Sequence, residues 1–164
     1  MEKKYKITDR NITIDDMVYA IVDGELRLAR ISAINEFDDT VEVWFNESDR
    51  VDEDTIDTVD IINLDSIPLT GDILLKAGWT IKSDDRDKTH YYIRVTPKEN
   101  HDLDTGIDLI WDSNDYRLYI GTLYDGFNWF PAYIYGVHQL QNVLRSLNLN
   151  QQAENLSRFK IFEK

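Results

Sequence analysis

Apolar and polar residues alternate with a period of two through much of the first half of the chain, the spacing of strands that bury one face. Met17-Val18-Tyr19-Ala20-Ile21-Val22, apolar throughout, is a strand candidate. Asp23-Gly24 follows, and because both residues tolerate positive φ the chain is expected to reverse there in a tight hairpin. The return strand runs from Leu26 to Ile34, with apolar residues on both parities of its first half, which leaves its register open. Asp38-Asp39 makes the next turn, and Val41, Val43 and Phe45 alternate with Glu42 and Trp44 in a third strand. A short fourth strand over Arg50 to Asp52 and a fifth over Thr58 to Ile62 complete the set. Short strands at this spacing read as a small barrel.

The pattern then changes. Thr70 is placed as an N-cap, Asp72 lies in the first turn where the helix dipole favours a carboxylate, and Gly78 suits the left-handed position after a helix, so a two-turn helix is expected between them. Pro68 restrains the entry to it and marks the boundary between two lobes. Four strands follow, His90 to Thr96, Gly106 to Trp111, Tyr116 to Tyr124 and Phe127 to Tyr135, the last two joined at Asp125-Gly126. Pro131 cannot donate to a ladder, which puts its strand at an edge. Beyond Gly136, Val137, Leu140, Leu144 and Leu147 form one apolar stripe, the mark of an amphipathic helix ending near Asn148 or Asn150, with a further helical turn between Gln151 and Phe159.

Composition narrows the picture. The 164 residues are 42% apolar and 12% aromatic, enough to fold around a core rather than remain disordered. Zero cysteines exclude disulfides, a thiol nucleophile and Cys-based metal sites. The N-terminal Met1-Glu2-Lys3-Lys4-Tyr5-Lys6 lacks the apolar core of a signal peptide and no 18-residue apolar run occurs, so a soluble, cytoplasmic protein, away from membranes, is expected. The net charge of -13 is concentrated: from Glu36 to Asp65 twelve acids face the single Arg50. Such a surface disfavours direct nucleic-acid binding, which needs clustered Lys and Arg.

Signatures of chemistry are sparse. His90, His101 and His138 have no partner at metal-ligand spacing, no nucleophile elbow or phosphate-cradling glycine loop is present, and runs such as Asp52-Glu53-Asp54 are those of a solvated face. Asp112-Ser113-Asn114-Asp115 and Asp84-Asp85-Arg86-Asp87 lack the Gly and Glu of a calcium loop and read as turns. No catalytic residue, metal or cofactor is therefore assigned. The candidates that remain are surfaces. Tyr119, Trp129 and Tyr133 belong to an aromatic run on both parities of the last hairpin, more than one helix-covered face needs, so rings are expected at an interface unless a second helix or the barrel covers them. His138, Gln141, Asn142 and Arg145 line up along the C-terminal helix as a polar stripe, read either as a solvated or locally bonded face or as a recognition stripe. Asp49, Asp52, Glu53, Asp54 and Asp57 form a candidate acidic surface.

Two segments carry a resemblance. Ile67-Pro68-Leu69-Thr70 leading to Ile73-Leu74-Leu75-Lys76-Ala77-Gly78-Trp79, and Val137-His138-Gln139-Leu140-Gln141-Asn142, resemble the I-P-L-T entry and V-H-Q-L-Q-N helix of short uncharacterised proteins of Bacteroidota phages and mobile elements. The resemblance implies an SH3-like barrel ahead of the I-P-L-T segment and transfers no activity. Gly136 before Val137 and the acidic block depart from that pattern. The expectation is thus an α+β protein: an SH3-like β-barrel over residues 1–66, then a helix, four-stranded antiparallel sheet, helix lobe over 67–164. Function is expected to be that of a non-catalytic protein-interaction module, a phage or mobile-element accessory protein with a protein partner and a capacity to self-associate through the aromatic sheet. An acidic mimic of nucleic acid that inhibits a host DNA- or RNA-binding protein is the alternative, and an enzyme ranks third.

Overall fold

In a computed structural model of the chain, strands β1 (Met17–Val22) and β2 (Glu25–Asn35) pair antiparallel across the Asp23-Gly24 turn, where φ is +51° and +80°. Residues 7, 12–45, 56–82, 86–87, 89–95, 106–122 and 126–163 are described, with residues 122 and 126–132 described in their backbone alone. Strand β3 (Thr40–Trp44) pairs with β2 and β4 (Ile56–Asp60) pairs with β3, then a 3-10 turn at Ile61–Asn63 leads into β5 (Leu64–Asp65), which returns to pair with β1. The result is a mixed α+β fold whose first antiparallel sheet has the order β4-β3-β2-β1-β5. Closure into a barrel, which would pair β4 with β5, is not present among the described residues.

The inward parity of β2 changes along its length. Ala29 and Ile31 are buried, then the pairing shifts between Ile31 and Ala33, and the half-buried position becomes Ile34. A bulge switches the inward parity midway, so a strict period of two could not describe the strand. The core that it faces consists of Val18, Ala20, Ala29, Ile31, Val41, Val43, Val59, Ile61 and Leu64, joined by Ile7 and Ile12. The expected fifth strand over Thr58 to Ile62 is instead the end of β4 and the 3-10 turn. The expected strand over Arg50 to Asp52 lies outside the described residues.

The chain divides into two compact units: Met1–Pro68 with Tyr135–Lys164, and Leu69–Ile134. This is not the contiguous 1–66 and 67–164 division expected, because the C-terminal helices join the first unit. Of the helices α1 (Gly71–Lys76) and α2 (Val137–Ser146), α2 is tied there at its start. Val137 N donates to the Ile67 carbonyl at 2.9 Å, and Gly136 bridges to Pro68. Gln139 caps the entry by accepting from Tyr135 N and Gly136 N at 2.8 and 3.0 Å. A side chain on Gly136, the extended N-cap of α2, would collide with Ser66 Oγ, so the close approach there suits glycine. The stripe Val137, Leu140 and Leu144 is fully buried, and α3 (Asn150–Asn155) and a 3-10 turn at Phe159–Ile161 follow.

In the second unit α1 (Gly71–Lys76) begins as expected, with the Thr70 hydroxyl accepting from Ile73 N at 3.4 Å, and ends at Gly78 with φ +95°. Its sheet is an antiparallel meander of five strands, one more than expected: β6 (Thr80–Ile81), β7 (His90–Val95), β8 (Ile107–Asp112), β9 (Arg117–Thr122) and β10 (Gly126–Tyr133). Strand β10 is an edge, and Pro131 falls where its pairing with β9 shifts, between Trp129 and Tyr133. One face buries Leu109, Trp111 and Leu118, with Tyr91 and Tyr116 against the Trp111 ring. The indole N–H of Trp111 donates to the Ile134 carbonyl at 3.1 Å.

Candidate interaction surface

The polar stripe of α2 turns inward. His138 and Gln141 are fully buried, so neither stands on a surface, and Asn142 and Arg145 are half-buried against the segment that precedes β1. Gln141 uses its whole amide: Oε1 accepts from Met17 N at 3.0 Å, and Nε2 donates to the Asp15 carbonyl at 3.1 Å and to Ser157 Oγ at 2.8 Å. Arg145 Nη1 donates to Asp16 Oδ1 at 2.5 Å and to Thr13 Oγ1 at 2.6 Å, while Asp16 Oδ2 accepts from Thr13 N at 2.8 Å and Asn142 Nδ2 at 3.3 Å. Asp16 is fully buried, and that burial raises its pKa against the opposing pull of Arg145. His138 Nδ1 lies 3.3 Å from Ser66 Oγ, and burial lowers the imidazole to about 4, so the ring is neutral at ordinary pH. These groups form an internal fastening of helix to strand, which corrects the reading of His138, Gln141, Asn142 and Arg145 as a recognition stripe. Sequence does not single out Asp16, Thr13 or Ser157: Asp16 and Thr13 lie more than a hundred positions from their partners on α2, and Ser157 lies just beyond α3, 16 positions from Gln141.

The other candidates lie in the second unit. Register places Thr80, Tyr92, Ile110, Tyr119 and Trp129 in one row across all five strands, each paired with the next. The row on one side runs His90, Asp112, Arg117, Tyr133, and on the other Arg94 pairs with Asp108. Both flanking rows are polar and laced: His90 Nε2 lies 3.4 Å from Asp112, Arg94 Nε lies 3.1 Å from Asp108, and Tyr92 OH donates 2.8 Å to Asp108. Arg117 donates to Tyr133 OH at 3.1 Å with its guanidinium 5.3 Å from the Tyr133 ring. Burial and then the Asp108 carboxylate raise the Tyr92 phenol, and burial, Asp115 and Asp112 raise Tyr119, so both rings stay neutral donors at ordinary pH. Arg94, Arg117 and Tyr133 remain more than a third exposed, and Tyr119 is half-buried. The structure therefore brings Tyr119 and Tyr133 to one face of the sheet. Trp129 pairs with Tyr119 in register, and its side chain lies outside the described residues.

No protein-family model matches this chain, and no curated protein or solved structure matches it.

Of the acidic surface, Asp49, Asp52, Glu53 and Asp54 lie outside the described residues, as does His101. Asp57 is half-buried on β4 and accepts from Thr58 N at 2.8 Å. The turn Asp112-Ser113-Asn114-Asp115 closes on itself, with Asn114 N donating to Asp112 and Arg117 N to Asp115. No group of three or more His, Asp or Glu side chains is placed to hold a metal ion among the described residues. No helix among them is long and apolar enough to cross a membrane.

Proposed function

We propose that this chain is a non-catalytic protein-interaction module, acting in the bacterial cytoplasm as an accessory protein of a phage or mobile element, with the outer face of the second sheet as its contact surface. The observation that supports it is the row in which the half-buried rings of Tyr92 and Tyr119 flank the buried Ile110, held between two rows of cross-strand polar pairs, with Tyr133 and Arg117 more than a third exposed at its margin. Tyr and Arg are the side chains that interfaces favour, since they combine a large apolar body with directed hydrogen bonding. Tyr92 and Tyr133 are also held in place by Asp108 and Arg117, which lowers the entropy lost on binding. The first unit contributes an SH3-like arrangement in this reading, a four-strand meander followed by a 3-10 turn and a fifth strand beside the first.

The test is affinity capture from bacterial lysate with the full chain, with Tyr119→Ser and with Tyr133→Ser, each at low and high salt. A partner retained by the parent chain at both salt levels and lost in both variants is the expected outcome. Equal capture by all three removes the sheet face from function. A second reading, an acidic inhibitor of a nucleic-acid-binding protein, is favoured by one observation: segments 35–44 and 56–65 carry seven acids and no Lys, Arg or His. Binding of that kind collapses as ionic strength rises.

A further inference from the structure

The turn between β2 and β3 holds Phe37 in solvent, with 99% of the residue exposed. A phenylalanine carries one of the largest hydrophobic payloads of any side chain, so leaving one uncovered forfeits folding energy. The turn is nevertheless built. Asn35 Nδ2 donates to Asp38 at 2.7 Å, Asn35 Oδ1 accepts from Phe37 N at 3.1 Å, and Asp39 takes φ +53°. Beside this tip the 3-10 turn is fastened by Ile61 N donating to the Asp39 carbonyl at 2.9 Å, next to the Thr40–Asp60 pair. That turn buries Ile61 and leaves Ile62 78% exposed. Two apolar side chains thus stand at one end of the sheet, among Glu36, Asp38, Asp39 and Asp60, all exposed.

We propose that this end of the first sheet is a docking knob for a basic segment of a partner protein, with Phe37 and Ile62 as its apolar anchors and Glu36, Asp38, Asp39 and Asp60 pairing with the partner's Lys and Arg. Charge decides the occupant. Nucleic acid and the cytoplasmic membrane surface are polyanions and meet like charge at the rim, and the net charge of -13 on a second copy of this chain opposes its approach. A cationic segment with apolar residues interspersed meets both features. The inference is independent of the second sheet's outer face, and it differs from mimicry of nucleic acid, for which charge suffices and Phe37 is irrelevant.

The probe is a random twelve-residue peptide library displayed on phage, selected on the full chain with counter-selection on the double variant Phe37→Ser, Ile62→Ser. Because both side chains are solvated, neither change should disturb the fold, and a circular-dichroism melt verifies that. Expected are peptides combining Lys or Arg with large apolar residues, whose synthetic forms bind Phe37→Ser about tenfold or more weakly, as loss of a central aromatic anchor does. Their affinity is also expected to fall with ionic strength and with neutralisation in Glu36→Gln, Asp39→Asn, Asp60→Asn. Three results overturn the proposal: no enrichment, enriched peptides without basic residues, or peptides that bind Phe37→Ser as well as the parent. Each of these leaves the capture lost in Tyr119→Ser and Tyr133→Ser unaffected, so failure here is separable from failure of the sheet-face reading.

Discussion

Replacing Gln141 with Leu tests whether the polar side of α2 is a fastening or a surface. The substitution keeps the volume roughly and removes both ends of the amide. Met17 N then loses the Oε1 acceptor that lies 3.0 Å away, in a place where no water reaches a fully buried residue. Ser157 Oγ still donates to the Asp15 carbonyl at 2.9 Å, so that acceptor remains satisfied and the damage concentrates on one amide. A buried donor left unpaired costs about 1–3 kcal/mol. The apolar replacement recovers part of this through burial, so a net loss of about 1–2 kcal/mol is expected. Gln141→Glu is expected to cost more at neutral pH, because its second oxygen faces the Asp15 carbonyl and the Ser157 hydroxyl oxygen with no proton to offer. That excess should shrink as pH falls, when protonation of the buried carboxyl restores a donor. Urea unfolding gives the global cost, and hydrogen exchange of the Met17 amide gives the local one, a tenfold faster exchange corresponding to about 1.4 kcal/mol. Unchanged midpoint and unchanged Met17 exchange in Gln141→Leu would refute the fastening and return the stripe to the list of surfaces.

Gly136→Ala is expected to destabilise the first unit by about 1–3 kcal/mol in thermal unfolding, because the added methyl meets Ser66 Oγ, and Ser66→Ala in the same chain should recover part of the loss. Trp111→Phe leaves the Ile134 carbonyl without its 3.1 Å donor and is expected to cost at least about 1–3 kcal/mol by the same measurement on the second unit. His138 titrates near 4 in the folded chain against 6.5 unfolded, so its contribution is full above 6.5 and is lost as pH falls toward 4, about 3 kcal/mol in all. The raised pKa of Asp16 works in the opposite sense, favouring the folded state as pH falls toward and below 3.8, and urea midpoints of the parent and His138→Gln from pH 7 to 4 separate the two.

Much of the fold is local and therefore readable. Asp23-Gly24 specifies its hairpin because few dipeptides accept two positive φ values, and Thr70 and Gly78 bracket α1 because helix ends need an oxygen acceptor and a left-handed exit. The apolar stripe of α2 is equally plain, but among its polar neighbours angle around the helix, not chemistry, decides which are buried. At about 100° per residue Gln141 falls only about 40° from Val137, inside the buried arc, whereas Asn142 lies about 140° away. Burial of Gln141 was thus encoded, while its partners Met17 and Asp15, 124 and 126 positions upstream, were not. The same limit governs the second sheet. Alternation shows that Tyr119 and Leu118 face opposite sides, but only register shows Tyr119 in one row with Tyr92 and Ile110, because a slip of one residue would move it to the other face.

Apart from Asp38, which accepts from Asn35 in the turn, the acids at the end of the first sheet have no comparable structural task. Val41, Val43 and Val59 fill the inward positions of β3 and β4, and Glu42 and Asp60 occupy outward ones, where the pattern of the strands asks only for a polar residue. Asp60 precedes the 3-10 turn without its side chain capping it, and Glu42 accepts from Ser32 Oγ at 2.7 Å in an exposed position. Like charges on neighbouring strands repel by a few tenths of a kcal/mol each, and salt screens the effect. The triple variant Glu36→Gln, Asp39→Asn, Asp60→Asn is therefore expected to be at least as stable as the parent at low ionic strength, with the difference closing at high ionic strength. A urea midpoint lowered by the equivalent of more than about 1 kcal/mol, beyond what surface substitutions ordinarily cost, would show that the carboxylates hold the tip together. Their charge would then be explained by folding, and the argument that it selects a basic partner would lose its premise.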